Sequence, residues 1–325
     1  MTRKAAADAE RTVNNLESIL PLVLDKNFQW VMMACVLLGI SSGMIGCFAL
    51  LKKYSLLGDT IAHAALPGIA LAFMLTGTKS LDIFLIGAAI AGLLSATCIR
   101  LITYHTRIKQ DTALAIVLSV FFGFGTVLLT KIAQSGSGNQ AGLDAFLFGK
   151  AASLVSSDVW VMAIGTVILI LLAGIFFKEL KLLAFDPDFG RGIGWPMHIL
   201  EGLLMLMLVL SVIIGLQAVG VVLMSALLII PAAAARYWTE KLHVMLVIAA
   251  VFGAFSGFVG TIASTLAPRM PTGPLIVLTA AGLFAVSAFF APRRGWVTQW
   301  IRKFRWRRAF GNKRPVLNEK AASQD

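Results

Sequence analysis

The sequence is poor in charged residues and in cysteine. Charged residues make up 14% of the 325-residue chain and hydrophobic residues 58%, whereas a soluble domain has about a quarter charged and half apolar residues. The three cysteines, Cys35, Cys47 and Cys98, lie inside apolar runs without Cys-x-x-Cys spacing. This placement disfavours a disulfide framework and a thiolate metal cluster. The composition predicts an all-α, polytopic integral membrane protein, multi-pass in the cell membrane.

Two catalytic motifs are also missing. Gly149 and Lys150 are followed by Ala151 and lack a glycine at the required upstream position, so the chain has no Walker A motif for ATP hydrolysis. It also has no His-Glu-x-x-His motif, which disfavours an intramembrane metalloenzyme. The chain is therefore predicted not to be an enzyme and to hold no resident cofactor.

Acidic residues are scarcer than basic ones. The chain has 16 Asp and Glu residues against 28 Lys and Arg residues, a formal net charge of +12. The basic residues cluster in short loops between apolar segments and in a tail that includes residues 293–314. This distribution is typical of membrane proteins and disfavours nucleic-acid binding. The positive-inside rule places the N-terminus outside and the C-terminus inside the cell.

Long apolar runs predict about nine transmembrane helices. Residues 199–235 are apolar for about 37 positions, or roughly 55 Å as one helix, whereas the hydrocarbon core is roughly 30 Å thick. We therefore divide this run into two spans joined near residues 215–220. The other predicted spans are residues 30–51, 56–76, 83–102, 112–130, 159–177, 244–265 and 274–290. The predicted domains are a polar N-terminal arm or interfacial helix (1–29), a transmembrane domain (30–292) and a basic cytoplasmic tail (293–325).

Two other features of the apolar segments affect packing. Glycines recur in the first span, at Gly39, Gly43 and Gly46, and in the span at residues 244–265, where Gly253, Gly257 and Gly260 form a stripe. Such residues allow membrane helices to approach closely. Residues 143–155 are apolar but too short to cross, which predicts a surface helix or a re-entrant segment.

The second span carries a carboxylate and an imidazole, Asp59 and His63, four residues apart. On a helix these two side chains face the same way. Because an ionisable residue costs at least roughly 2.5 kcal/mol near the bilayer centre, the pair predicts a functional site. A structural hydrogen bond between the two is the alternative. Pro67, one turn later, predicts a kink or break in the helix near the pair.

A second motif lies between the fifth and sixth spans. Asp186 followed by Pro187 is a typical helix start, with the carboxylate as N-cap and proline in the first turn. We predict a short helix parallel to the membrane on the cytoplasmic side. Glu201, near the start of the next span, is predicted to interact favourably with that helix N-terminus, with a buried partner as the alternative.

Three stretches together resemble one protein family. They are residues 52–68 (KKYSLLGDTIAHAALPG), residues 185–189 (FDPDF) and residues 217–233 (QAVGVVLMSALLIIPAA). The chain resembles the membrane permeases of bacterial ABC importers for manganese, zinc and iron over nearly all of residues 30–292. The resemblance implies an ABC importer permease fold, a homodimer, cytoplasmic ATP-binding subunits and an extracellular metal-binding lipoprotein. It also implies that Asp59 and His63 bind the transported ion.

The same resemblance assigns the segment around Asp186 as the helix that couples to the ATPase. Its residues are Phe185, Asp186, Pro187, Asp188, Phe189 and Gly190. Membrane lipid is a further expected partner, since the chain is predicted to lie in the bilayer.

The chemistry of the pair agrees with the resemblance and leaves the metal open. Oxygen and imidazole ligands suit manganese, iron or zinc, and the absence of thiolate disfavours copper(I). One chain supplies only two ligands, but a two-fold dimer would bring two such pairs together. We favour manganese, with zinc or iron as alternatives. An ATP-independent secondary metal transporter or channel is the alternative from another class.

Overall fold

The computed structural model describes residues 25–54, 56–77, 81–134, 149, 154–265, 270–292, 295, 296, 298 and 300. Within these residues the chain forms eleven α-helices and no strand. In chain order the helices are α1 (Lys26–Leu51), α2 (Leu57–Thr76), α3 (Leu81–His105), α4 (Gln110–Gln134), α5 (Ser156–Ile175), α6 (Phe177–Phe185), α7 (Pro187–Gly192), α8 (Met197–Val219), α9 (Val221–Trp238), α10 (Leu242–Thr265) and α11 (Thr272–Phe290).

The helix lengths agree with about nine membrane spans. Among the described residues, eight helices are long and apolar enough to cross a bilayer: α1, α2, α3, α4, α5, α8, α10 and α11. In α9 the apolar stretch is Leu223–Trp238, shorter than these eight. The first helix begins at Lys26, four residues before its predicted start, because Asp25 acts as N-cap and accepts a hydrogen bond from the Asn27 backbone N–H at 3.1 Å. Most of the predicted N-terminal arm, the segment 143–155 and the basic tail lies outside the described residues.

The long apolar run is divided at a single glycine. Helix α8 ends at Val219 and α9 begins at Val221, with Gly220 between them at a φ of 86°. This left-handed conformation is readily available to glycine and strained for other residues. The predicted junction near residues 215–220 is therefore confirmed.

The glycines of α1 and α10 bring the two helix backbones into contact. A Cβ atom on Gly39 would lie 2.1 Å from the carbonyl oxygen of Gly253, and one on Gly257 would lie 2.4 Å from that of Cys35. Both distances are too short for a real Cβ atom, so only glycine fits at this approach. The predicted close packing is confirmed, and the order of the contacts shows that α1 and α10 are antiparallel.

The directions of the helices gather the basic loops at one end of the bundle. Helix α2 is antiparallel to α3, since Gly68 lies against Gly87 and Ile61 against Gly92, and it is parallel to α4, since Leu66 lies against Gly125. The ends of α1, α3 and α5 and the starts of α2, α4, α8 and α10 therefore share one end. We call it the basic end, because it carries Lys52, Lys53, Arg107, Lys109, Lys178, Lys181, Arg191, Arg236 and Lys241. The positive-inside rule assigns this end to the cytoplasm.

The predicted break in α2 is wrong. The helix runs without interruption from Leu57 to Thr76 and includes Pro67. Gly125 of α4 lies so close to Pro67 that an added Cβ would be 3.0 Å from the proline Cδ. Packing against α4 on this side supports the helix where the proline removes a backbone hydrogen bond.

Candidate functional site

Asp59 and His63 meet on one face of α2. Asp59 lies in the first turn of the helix, and its Oδ1 atom is 3.5 Å from Nε2 of His63. The side chain of Asp59 is 37% exposed and that of His63 is 22% exposed, whereas most of their neighbours on α2 are buried. The i,i+4 spacing thus produces the predicted polar pair, with an open side that an ion could reach.

The separation of these two atoms suits shared coordination of one ion. Two ligands that each lie about 2.1 Å from a metal at a tetrahedral angle are about 3.4 Å apart. The observed distance of 3.5 Å is close to that value. Asp59 and His63 can therefore bind the same ion with little movement, or hydrogen-bond to each other when His63 is suitably protonated.

The pair does not by itself complete a metal site. Within the described part of the chain, no group of three or more His, Cys, Asp or Glu side chains converges on one point. The edge of the His63 ring packs against the ring of Phe122 from α4, with centroids 5.0 Å apart and planes at 84°. The Nδ1 atom of His63 is buried and has no hydrogen-bond partner among the described residues. An ion held by this pair would need further ligands from outside the described part of the chain.

The second set of predicted site residues, from Phe185 to Gly190, lies at the basic end on α6 and α7. Asp186 accepts a hydrogen bond from the Phe189 backbone N–H at 3.0 Å, and Pro187 begins α7. The predicted helix start is confirmed. The side chains of Phe185 and Phe189 are 56% and 58% exposed. Gly190 is buried against Met197, the first residue of α8. Helix α7 is therefore anchored to α8 and presents Phe189 outward, next to the exposed Phe185 at the end of α6.

A third polar contact, which the sequence pattern did not predict, links α8 to the turn before α2. The Tyr54 hydroxyl donates a hydrogen bond to the Glu201 carboxylate, across 147 positions of sequence. Burial raises the pKa of the Tyr54 hydroxyl, and the Glu201 carboxylate raises this pKa further. The tyrosine therefore stays protonated and can donate.

This contact corrects the prediction for Glu201. Glu201 lies beyond the first turn of α8, and that turn contains no acidic side chain. The predicted interaction of Glu201 with the helix N-terminus is therefore wrong. The buried-partner alternative is the one observed. A guanidinium nitrogen of Arg100 from α3 lies close to Gly202, so a cation accompanies the pair. A glutamate inside an apolar segment was the only signal in the sequence, and its partner could be identified only from the folded structure.

Three comparisons place the chain among known proteins. The family model described as ABC 3 transport family matches residues 25–291. The manganese transport system membrane protein MntC of Bacillus subtilis (strain 168) is 50% identical over 301 residues, which are 93% of this chain and 69% of that protein. The zinc transport system membrane protein TroC of Treponema pallidum (strain Nichols) is 44% identical over 289 residues, 89% of this chain and 97% of that protein.

A solved structure agrees with these sequence matches. The structure of PsaBC from Streptococcus pneumoniae in complex with Fab contains a chain that superposes with a TM-score of 0.76 at 33% sequence identity. The match covers 87% of this chain and 99% of that one. Both the sequence and the arrangement of helices are therefore shared over most of the chain.

Proposed function

The chain belongs to the ABC 3 transport family, and from this membership and the Asp59–His63 geometry we propose that it is the permease subunit of an ATP-driven importer of a divalent transition metal, manganese first. It is a multi-pass membrane protein and a transport subunit rather than an enzyme. The transported ion is the substrate. The observation that carries the proposal is a carboxylate and an imidazole set 3.5 Å apart on an otherwise apolar helix.

The choice of manganese comes from the relatives. The protein named for manganese transport is 50% identical to this chain, and the one named for zinc transport is 44% identical. The ligand types suit both ions. Manganese is therefore the first candidate and zinc the second, and the test below distinguishes them.

The incomplete shell has a functional advantage. An ion held by two protein ligands can exchange its remaining ligands and leave, whereas a closed four-ligand site would retain it. A second copy of the chain, related by a two-fold axis, would supply a second Asp59 and a second His63. We propose that transport takes place along the path between two such copies.

The energy for transport is assigned to a separate chain. At the basic end, Phe185 at the end of α6 and Phe189 on α7 are exposed, and these aromatic side chains suit a protein contact. We propose that cytoplasmic ATP-binding subunits dock there and that residues 185–190 transmit their motion through Met197 to α8. An extracellular metal-binding lipoprotein would deliver the ion at the opposite end.

Elemental accumulation in cells tests the proposal. A strain that lacks this chain is compared with the same strain after the chain is restored, at limiting manganese, zinc and iron, and each metal is measured by mass spectrometry. We expect a selective manganese deficit that the restored chain corrects. A selective zinc deficit would support the second candidate instead, and normal levels of all three metals would contradict import.

Loss of the partner ATPase separates the two mechanisms. When the Walker A lysine of the ATP-binding partner is replaced, an ATP-driven importer loses accumulation. Undiminished accumulation in that strain would favour an ATP-independent transporter.

A further inference from the structure

An apolar cavity at the basic end is lined by none of the residues of the Asp59–His63 pair. Its volume is about 690 Å³, within the range of roughly 300 to 1,000 Å³ that is usual for small-molecule sites. The ends of three helices surround it: Leu50 from α1, Ala233, Arg236 and Tyr237 from α9, and Phe284, Ala288 and Phe289 from α11, with Trp296 just beyond. The cavity therefore opens where these three helices leave the apolar part of the bundle.

One cationic side chain, that of Arg236, lines the cavity together with several aromatic rings. Arg236 lies in the last turn of α9, partly buried, and its side chain makes no ion pair or hydrogen bond with any residue that the structure describes. The rings of Tyr237 and Phe284 meet edge to face at 5.7 Å, and those of Phe289 and Trp296 at 6.2 Å. Trp and Tyr side chains favour the boundary between lipid headgroups and hydrocarbon.

A helix-end arginine alone would need no ligand, because the carbonyl groups of the last turn attract a cation. That effect accounts for the position of Arg236 but not for the cavity beside it. The combination of an unpaired guanidinium, a headgroup-level aromatic wall and an apolar floor is complementary to an anion that carries a hydrocarbon chain. Basic pockets between membrane helices on the cytoplasmic side bind such lipids.

We propose that this cavity binds an anionic phospholipid of the cytoplasmic leaflet, with the headgroup phosphate on the Arg236 guanidinium and the upper part of an acyl chain against Phe284 and Ala288. Its lining includes neither Asp59 nor His63. It would hold together the ends of α1 and α11, which both pack against α9. The proposal does not depend on which metal the protein transports.

Tryptophan fluorescence can report on this cavity directly. The full chain is reconstituted with brominated phosphatidylglycerol or brominated phosphatidylcholine of the same acyl chains, and bromine quenches any tryptophan that it contacts. Subtracting the signal of a Trp296→Phe variant isolates Trp296, which lines the cavity. We expect phosphatidylglycerol to quench Trp296 at about three- to ten-fold lower mole fraction than phosphatidylcholine.

Variants then test the role of the charge. Arg236→Gln should abolish the preference for phosphatidylglycerol, whereas Arg236→Lys should retain most of it. Lys241→Gln is the matched control, because Lys241 is exposed near the same helix end and does not line the cavity. Ala288→Phe should fill the cavity and reduce quenching by both lipids.

Three results would overturn the proposal: equal quenching by the two lipids in the wild-type chain, an unchanged preference in Arg236→Gln, or an equal loss in Lys241→Gln. Glycerol phosphate added at millimolar concentration distinguishes a lipid from a free phosphate. If it displaces the brominated lipid completely, the site recognises the anion alone and the lipid assignment is wrong.

Discussion

At the scale of single residues, Asp59 and His63 are polar groups in a helix that is otherwise packed with small and apolar side chains. Their neighbours Ala62, Ala64 and Ala65 are fully buried, so the pair occupies the partly open face of α2. Ionisable groups in a membrane segment are costly, so they pair with one another or mark a functional site. This is why the two residues, rather than the apolar surroundings, are the place to test function.

Asp59→Asn keeps the size of the side chain and removes its negative charge. We expect the initial rate of manganese uptake to fall about ten-fold or more, since a neutral amide is a weaker ligand for a divalent cation. Uptake of radioactive manganese by cells with matched expression measures the effect. Asp82→Asn, in the first turn of α3 without a histidine four residues later, is the control and should transport normally. A wild-type rate in Asp59→Asn would rule out its role as a ligand.

Tyr54→Phe removes the donor to Glu201 and leaves the carboxylate without its hydroxyl partner. We expect a loss of about 1 to 3 kcal/mol in the free energy of unfolding, because a partly buried carboxylate loses its hydrogen-bond donor. Thermal unfolding of the purified chain in detergent measures it. Tyr104→Phe, at a side chain that is 84% exposed, should change little. Equal melting temperatures for Tyr54→Phe and wild type would show that the contact adds no stability.

The raised pKa of Tyr54 gives the same variant a pH signature. Below the unfolded-state pKa of tyrosine, about 10, the hydroxyl is protonated in both states and the contribution to stability is complete. Above that pH the tyrosine hydroxyl ionises in the unfolded state but stays protonated in the folded state, because its pKa there is raised. The free energy of unfolding therefore falls as the pH rises further. Tyr54→Phe should therefore lose less stability than wild type above pH 10 in the same unfolding assay.

At the scale of helices, glycine determines how close α1 and α10 lie, whereas α7 leaves an aromatic side chain exposed. Helix α1 packs most extensively against α10, and their backbones touch where Gly39 faces Gly253. Helix α7 has only six residues and is held against α8 at Gly190. Its Phe189 side chain is exposed instead of packed in the bundle. One element thus stabilises the bundle and the other is available for contact.

Gly39→Ala introduces a methyl group where no space exists. We expect α1 and α10 to be forced apart, with a loss of about 1 to 3 kcal/mol in stability. Thermal unfolding in detergent again measures the change. Gly282→Ala in α11, where an added Cβ meets nothing within 4 Å, is the matched control. If both variants melt alike, the close approach does not limit stability.

Phe189→Ala should weaken the complex with the ATP-binding subunit without unfolding the permease. An aromatic anchor at a protein interface is worth about 2 kcal/mol or more, which corresponds to roughly thirty-fold in affinity. Binding of the purified subunit to immobilised permease measures the loss. Phe290→Ala removes a similarly exposed phenylalanine at the same end of the molecule and should bind normally. Unchanged binding by Phe189→Ala would exclude α7 as the docking helix.

At the scale of the whole molecule, the bundle leaves the Asp59–His63 pair beside a helix that is largely uncovered. Helix α4 contacts α2 at the pair, where Phe122 packs against His63. Only 22% of the most apolar stretch of α4 is buried within the chain. Lipid covers such a surface in a monomer, and a second copy would cover part of it in a dimer. A two-ligand shell and an uncovered neighbouring helix are both consistent with a path formed by two chains.

The stoichiometry of the bound ion tests this arrangement. If two chains share one site, the assembled transporter should bind one manganese ion per two chains. Elemental analysis of the purified complex, with light scattering to count the chains, measures the ratio. His63→Ala in both copies should reduce the bound metal by at least ten-fold. One ion per chain would indicate that each copy holds its own site.

The sequence by itself determined the class of the protein, the approximate number of spans, the junction near residues 215–220, the helix start at Asp186 and the shared helix face of Asp59 and His63. Each of these depends on composition or on residues within a few positions of one another, where local geometry is decisive. Only the tertiary structure decided that α2 continues through Pro67, that Phe122 faces His63, that Glu201 pairs with Tyr54 and that Arg236 lines a cavity. These features join residues from separate helices, and which helices become neighbours depends on the packing of the whole bundle.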